Sequence, residues 1–297
     1  MKRFTSAGED VRLDVETRRE LRGTFLTLPS GTTQAELTGP EEGEVVVLIG
    51  GLTVPLAFWD RLVSKLHAHG LRTLAYALYG RGYSDRVVGP YDERLFVRQL
   101  TELLVALELE ADLHVVGTSM GALVGMAFAA AHPGVESLTL VSPAGLEQPF
   151  LPLHRLLYSD VVAGFVARRF GRRMLERHMA SEVLDPQLGE EVATMVREAF
   201  RCEGSMHAVF DTLQHFPLTG RHALFRQTAA LELPTMLLWG DDDRVTPDEK
   251  LAEARGLLIP TESHRVAGCG HMPPIERPAE VADRIAAFVR TTSRSTP

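Results

Sequence analysis

Cysteine is scarce in this chain: two in 297 residues, Cys202 and Cys269, well apart in sequence. That excludes the disulfide framework that staples small secreted domains, and it suits a reducing cytoplasm. No apolar run approaches the roughly 20 residues that cross a bilayer. Lys2 and Arg3 are followed by a polar stretch through Asp10, with no signal-peptide core. An excess of basic charge is also missing, and a formal net charge of −8 gives no sign of a nucleic-acid surface. Neither Gly-x-Gly-x-x-Gly nor Gly-Lys-Ser/Thr occurs, which argues against a nucleotide-phosphate loop. Internal repeats and low-complexity tracts are absent. The expectation is a soluble, cytoplasmic protein with no membrane span and no nucleic-acid partner; its oligomeric state is not legible.

What is present is enough apolar residue, 45% of the chain, to bury a large core. The first twenty or so residues are charged and aperiodic, and residues 1–22 read as an N-terminal arm or short helix. Gly23–Leu28 and Thr32–Leu37 read as strands around the turn Pro29-Ser30-Gly31. Val45–Ile49 is continuously apolar, as a strand covered on both faces must be. Helix 56–69, strand 71–78, and a helix carrying Leu95, Phe96, Leu100, Leu103, Leu104 and Leu107 follow. The strand ending at Gly117, its helix and a strand over 137–141 continue the alternation. From about Gly145 to Leu231 only helical patterns occur. Strand 233–239, helix 247–258, strand 263–266 and helix 280–289 then close the chain. Such alternation predicts an α/β fold, a mostly parallel sheet flanked by helices. Its core would be residues 23–144 and 232–297, with an all-helical insertion at 145–231 placed to act as a lid.

The most telling stretch is Val115-Val116-Gly117-Thr118-Ser119-Met120-Gly121. A strand runs into Gly-x-Ser-x-Gly and a small-residue helix follows, which forces Ser119 onto a sharp turn above the sheet. Gly117 and Gly121 fit where side chains would collide. The competing interpretation is an ordinary strand-turn-helix with a capping serine. A serine hydroxyl is a weak nucleophile and needs a base, which in turn needs an orienting carboxylate. Gly240-Asp241-Asp242-Asp243 supplies acids just after a strand. Gly268-Cys269-Gly270-His271 supplies one of the eleven histidines in a glycine-bounded loop. The order serine, aspartate, histidine differs from that of trypsin-like and subtilisin-like proteases.

On these motifs the chain resembles the α/β-hydrolase superfamily over about residues 23–291, most weakly in the helical insertion. Gly240, Asp243 and Pro247 match its acid motif, which favours Asp243 over Asp241 and Asp242. Gly268, Gly270, His271, Glu276 and Pro278 match its histidine motif, and Tyr79-Gly80-Arg81-Gly82-Tyr83-Ser84-Asp85 resembles its loop after the fourth strand. The resemblance implies a catalytic triad of Ser119, His271 and Asp243. It also implies an oxyanion hole made by the backbone N–H groups of Met120 and Leu52. Two departures stand out. Gly50 occupies the place of the usual histidine before Gly51, and Ala77 that of an aspartate.

Simpler readings compete for several residues. Asp241 and Asp242 suit a solvated turn, and the acid cluster lacks the ligand spacing of an EF-hand. His67 and His69, two apart on a helix, do not face one site. No metal and no cofactor is therefore expected. Cys269 lies near His271 without an elbow around it.

The function anticipated is hydrolysis of a carboxylic ester, a small-molecule acyl substrate, through an acyl-enzyme. Ser119 excludes the family's aspartate-nucleophile reactions. Carbon–carbon bond hydrolase, thioesterase, lactonase and acyltransferase chemistry stay open, as does a catalytically weak ligand receptor or scaffold. Gly51, Phe165 and Phe210 are substrate-contact candidates. They are chosen with an apolar set in the insertion (Leu156, Leu157, Val161, Val162, Phe170, Phe200 and Phe216) that would equally form its own core. The basic run Arg168, Arg169, Arg172, Arg173 and Arg177 reads as a solvated face, with anion attraction as the alternative.

Overall fold

The computed structural model describes residues 2–146 and 159–293. Among them, one sheet is built from β1 (Thr24–Leu28), β2 (Gly31–Thr38), β3 (Val45–Ile49), β4 (Arg72–Tyr76), β5 (Leu113–Thr118), β6 (Val135–Val141), β7 (Thr235–Gly240) and β8 (Glu262–Val266). The spatial order is β1-β2-β4-β3-β5-β6-β7-β8. The β1–β2 hairpin and the β2–β4 pair are antiparallel, and every later pair is parallel. The hairpin therefore forms one edge of the α/β fold.

The central strands are apolar throughout because both faces are covered. Val47 and Ile49 point into one core with α3 (Glu93–Ala106), α4 (Met120–Ala129), α9 (His222–Ala229) and α10 (Asp248–Leu258). Val46 and Leu48 point into the other, with α2 (Asp60–Ala68) and α11 (Pro278–Ser293). Alternation along a strand thus assigns successive residues to opposite layers. The expected strands and helices are found with ends displaced by a few residues, since terminal turns depend on capping more than on period. Helix α3, for instance, begins where the Asp92 side chain accepts from the Leu95 N–H at 2.9 Å.

Between β6 and β7 the described residues are helical: α5 (Asp160–Val166), α6 (Arg172–Ser181), α7 (Pro186–Ala199), α8 (Ser205–His215) and α9. A π-helical turn at Ala167–Gly171 joins α5 to α6. Of the apolar set picked from this segment, Leu156 and Leu157 lie outside the described residues. Phe200 and Phe216 are buried, whereas Val161 and Phe170 are exposed.

The N-terminal residues include α1 (Val15–Arg19) and a firmly docked stretch before it. Buried Glu9 accepts from the N–H groups of Ser6 (2.7 Å), Gly204 (3.0 Å) and Met206 (2.6 Å). It thereby caps the start of α8, whose first N–H groups have no helical acceptor. Asp10 makes a two-point ion pair with Arg201, and Val11 bridges to Cys202. The basic run partly serves this contact: Arg172 donates to the Gly8 carbonyl, and the Arg168 guanidinium lies 4.6 Å from the Phe4 ring centre.

Candidate active site

Four loops at the C-terminal ends of β3, β5, β7 and β8 converge, which is where open α/β sheets place their ligands. Ser119 follows β5 with φ +53°, a strained conformation for a residue with a side chain. The flanking glycines let the turn fit. A Cβ on Gly117 would lie 2.5 Å from the Gly121 carbonyl oxygen, and one on Gly121 2.6 Å from that of Gly50 and closer still to that of Ile49. The turn leads into α4, so the Met120 N–H opens that helix without an intrahelical acceptor.

The loop after β3 crosses directly over the serine. A Cβ on Gly51 would be 3.4 Å from the Ser119 Cβ. Gly50 has no room for a histidine, because a Cβ there would meet Val54 at 2.8 Å. Val54 fills the space that the usual side chain would need. Ala77 is held instead through its backbone, by one side-chain amide and one hydroxyl. Gln99 donates to the Ala77 carbonyl (3.0 Å) and accepts from the Tyr79 N–H (2.8 Å), while Ser84 also donates to Ala77 (2.6 Å).

Asp243 is buried, unlike exposed Asp241 and Asp242. Its Oδ1 accepts the Val245 and Thr246 N–H groups at 2.9 and 2.8 Å. Its Oδ2 accepts the Thr246 hydroxyl at 2.6 Å and lies 2.8 Å from His271 Nδ1. Burial pushes the Asp243 carboxyl up, but the His271 and Thr246 hydrogen bonds outweigh it and hold the group below its ordinary value. For His271, burial favours the neutral ring. The hydrogen bond and charge of Asp243 prevail, and the imidazole is raised above its ordinary value.

The acid and histidine loops touch through their backbones. A Cβ on Gly240 would sit 2.5 Å from the Cys269 carbonyl oxygen and closer to that of Gly270. Glu276 accepts the N–H groups of Gly270 and Leu184, both at 2.9 Å, so it ties the histidine loop to the helical segment. Burial pushes the Cys269 thiol up, which keeps it protonated and a poor nucleophile.

Ser119, His271, Gly51, Leu52 and Met120 all line one cavity of about 210 Å³. The described hydrogen bonds join His271 to Asp243 but do not include one between Ser119 and His271. Leu52 and Met120 have no acceptor for their N–H groups among the described residues. Phe58, Met179, Leu213 and Leu218 supply apolar wall. The other two substrate candidates are corrected. Phe165 is 62% exposed, and Phe210 packs beneath Gly171 in the core, so neither lines the cavity.

Sequence reasoning missed two wall residues, His178 and Glu182. They form a pair at 2.9 Å, one turn apart at the end of α6, and the Glu182 carboxylate raises the His178 imidazole above its ordinary value. The Glu182 carbonyl also accepts the His271 N–H at 2.8 Å. No motif flags them, since their position at the cavity depends on how α6 docks. His67 and His69 are separate, the first bonding Thr73 and the second Asp283.

A lipase from Psychrobacter immobilis is 25% identical over 89% of this chain and 82% of its own length. A 2-hydroxy-6-oxononadienedioate/2-hydroxy-6-oxononatrienedioate hydrolase from Paraburkholderia xenovorans is 27% identical over 83% and 88%. Among solved structures, a thermophilic esterase from Thermogutta terrifontis superposes with a TM-score of 0.76 at 22% identity, covering 92% of this chain and 99% of that one. A profile of the alpha/beta hydrolase family matches residues 46–284, and the chain belongs to that family.

Proposed function

We propose that this hydrolase cleaves carboxylic esters through Ser119, His271 and Asp243, with residues 145–231 acting as a lid over the core formed by 23–144 and 232–297. The observation that carries the reading is the strained Ser119 opening onto the same cavity as an imidazole whose far nitrogen is held by a buried carboxylate. Neutral His271 takes the serine proton through Nε2 as the hydroxyl attacks the acyl carbonyl. Asp243 fixes the tautomer and stabilises the imidazolium. The N–H groups of Leu52 and Met120 receive the oxyanion. His271 then protonates the leaving alcohol, and water attacks the acyl-enzyme by the reverse proton path. The serine–histidine bond closes as substrate binds, since catalytic hydrogen bonds commonly tighten in the complex. The apolar wall suits an acyl chain or aromatic acid of modest size.

Labelling with a fluorophosphonate tests the reading, followed by p-nitrophenyl esters of increasing acyl length. Labelling and turnover that vanish together in Ser119→Ala support it. Turnover that survives in that variant refutes the nucleophile.

A second reading, hydrolysis of a carbon–carbon bond, is favoured by the His178–Glu182 pair, a second proton-carrying group on the cavity wall. The Paraburkholderia relative is named as a hydrolase of a 2-hydroxy-6-oxodienoate-type diacid. Faster turnover of a 2-hydroxy-6-oxodienoate than of any ester, with a change of rate in His178→Ala, would favour it over ester cleavage.

A further inference from the structure

Arg81 has 0% exposure, and among the described residues no carboxylate makes an ion pair with it; the nearby Asp211 favours its charge only from beyond contact. Burying a cation with no carboxylate in contact is costly, so the structure must supply other compensation. The guanidinium finds it in three directions. Nε donates to the Leu52 carbonyl at 2.8 Å, Nη1 to the Tyr79 carbonyl at 3.0 Å and Nη2 to the Thr212 hydroxyl at 2.8 Å. Thr212 passes its own proton to the Ala208 carbonyl (2.8 Å), which leaves a lone pair facing Arg81. The Phe96 and Tyr91 rings lie 5.3 and 6.0 Å from the cation. Desolvation pulls the group down to about 9, so it still carries its charge at neutral pH.

Those three acceptors belong to different parts of the fold. Leu52 is in the loop that crosses Ser119, Tyr79 is in the turn after β4, and Thr212 is on α8 of the helical segment. Only a planar fork reaches all three, which a lysine ammonium on a single stem does not. This is also the corner where Gly50 and Ala77 leave the loop without its usual side chains.

We propose that Arg81 is a positioning residue for the oxyanion loop: it holds the Leu52 carbonyl so that the Leu52 N–H faces the nucleophile, and through Thr212 it ties that loop to the helical segment. The proposal rests on the ester-hydrolase reading for its catalytic consequence, though not for the tether itself.

The test uses the full chain with Arg81→Gln, Arg81→Lys and Thr212→Val. Active sites are counted by fluorophosphonate titration, kcat and KM are measured on a p-nitrophenyl ester, and amide hydrogen exchange is followed over residues 50–54. Misplacing one oxyanion donor costs about 10²-fold or more, so Arg81→Gln lowers kcat per titrated site by that order while KM stays within about twofold. Arg81→Lys, which keeps the charge but loses the fork, falls in between. Thr212→Val loses only a few-fold. Exchange at residues 50–54 speeds up by about tenfold in Arg81→Gln. If Arg81→Gln does not fold, the other two variants carry the comparison. A kcat per titrated site equal to wild type, with only the titratable fraction reduced, reduces Arg81 to a structural residue and overturns the proposal. Unchanged exchange over residues 50–54 overturns it as well. Should the wild type turn over no ester, the ester-hydrolase reading falls, and exchange alone still decides whether Arg81 holds the loop.

Discussion

Replacing Asp243 by asparagine is nearly isosteric, yet the hydrogen bonds around it dictate a specific failure. Four donors converge on its two oxygens. Two are the backbone N–H groups of Val245 and Thr246 on Oδ1, which cannot reverse their direction. An asparagine must therefore present its carbonyl oxygen to them and turn its NH₂ toward Thr246 and His271. The Thr246 hydroxyl can rotate and become an acceptor. His271 Nδ1, now facing a donor, must also accept, which moves the ring proton to Nε2. A ring protonated at Nε2 has no lone pair with which to take the Ser119 proton. Loss of the correct tautomer costs about 10⁴ in kcat, equivalent to roughly 5 kcal/mol of transition-state stabilisation at 1.36 kcal/mol per tenfold. The assay is kcat on a p-nitrophenyl ester together with the fluorophosphonate labelling rate, and both should fall. A thermal melt close to wild type would show that the fold survives. Asp241→Asn and Asp242→Asn, altering exposed side chains, should stay within a few-fold of wild type. An Asp243→Asn enzyme retaining a tenth of wild-type kcat, or losing no more than Asp241→Asn does, would refute the tautomer argument and the choice of Asp243.

Further outcomes follow from other features. Imidazolium cannot accept the serine proton, so kcat/KM falls as pH drops through the His271 pKa. Because Asp243 raises that value, the midpoint lies above the ordinary 6.5 or so of histidine; a flat profile from pH 5 to 8 would exclude His271 as the base. Gly121→Ala drives a methyl into the Ile49 and Gly50 carbonyls. It should destabilise by about 1–3 kcal/mol and, by displacing the loop over Ser119, cut kcat by about 10², measured by melting and ester turnover. An unaltered kcat would mean that the loop does not need this close approach. Glu9→Ala strips the acceptor from three N–H groups, including those that start α8. A loss of about 1–3 kcal/mol is expected in urea unfolding, and no loss would show that water replaces the carboxylate.

Legibility differed among the residues for physical reasons. Val45–Ile49 and the Gly117–Gly121 turn could be read from sequence because their constraints are local. A strand covered on both faces must be apolar, and a turn at φ +53° between crossing backbones needs glycines beside it. The acid was harder, as Asp241, Asp242 and Asp243 share one loop and only burial separates them. Phe165 and Phe210 misled because apolar character says that a side chain wants cover, without saying whether a cavity or a core provides it. The helical spacing of His178 and Glu182 allows their pairing but says nothing of the cavity they line, and nothing in the spacing of Arg81 or Gln99 indicates that they reach Leu52, Thr212 or Tyr79, on elements 20 or more positions away.

By itself, then, the order of strands, helices and glycine-flanked turns determined an α/β sheet with a serine on an elbow and a helical insertion, since those features follow from period and local sterics. Packing alone decided that His271 would meet Asp243, that Val54 would crowd Gly50, that Gln99 would hold the Ala77 backbone, and that Arg81 would be buried across three segments. Such contacts arise from docking surfaces distant in sequence, where the energy lies in complementary shape and satisfied polar groups that no local pattern encodes.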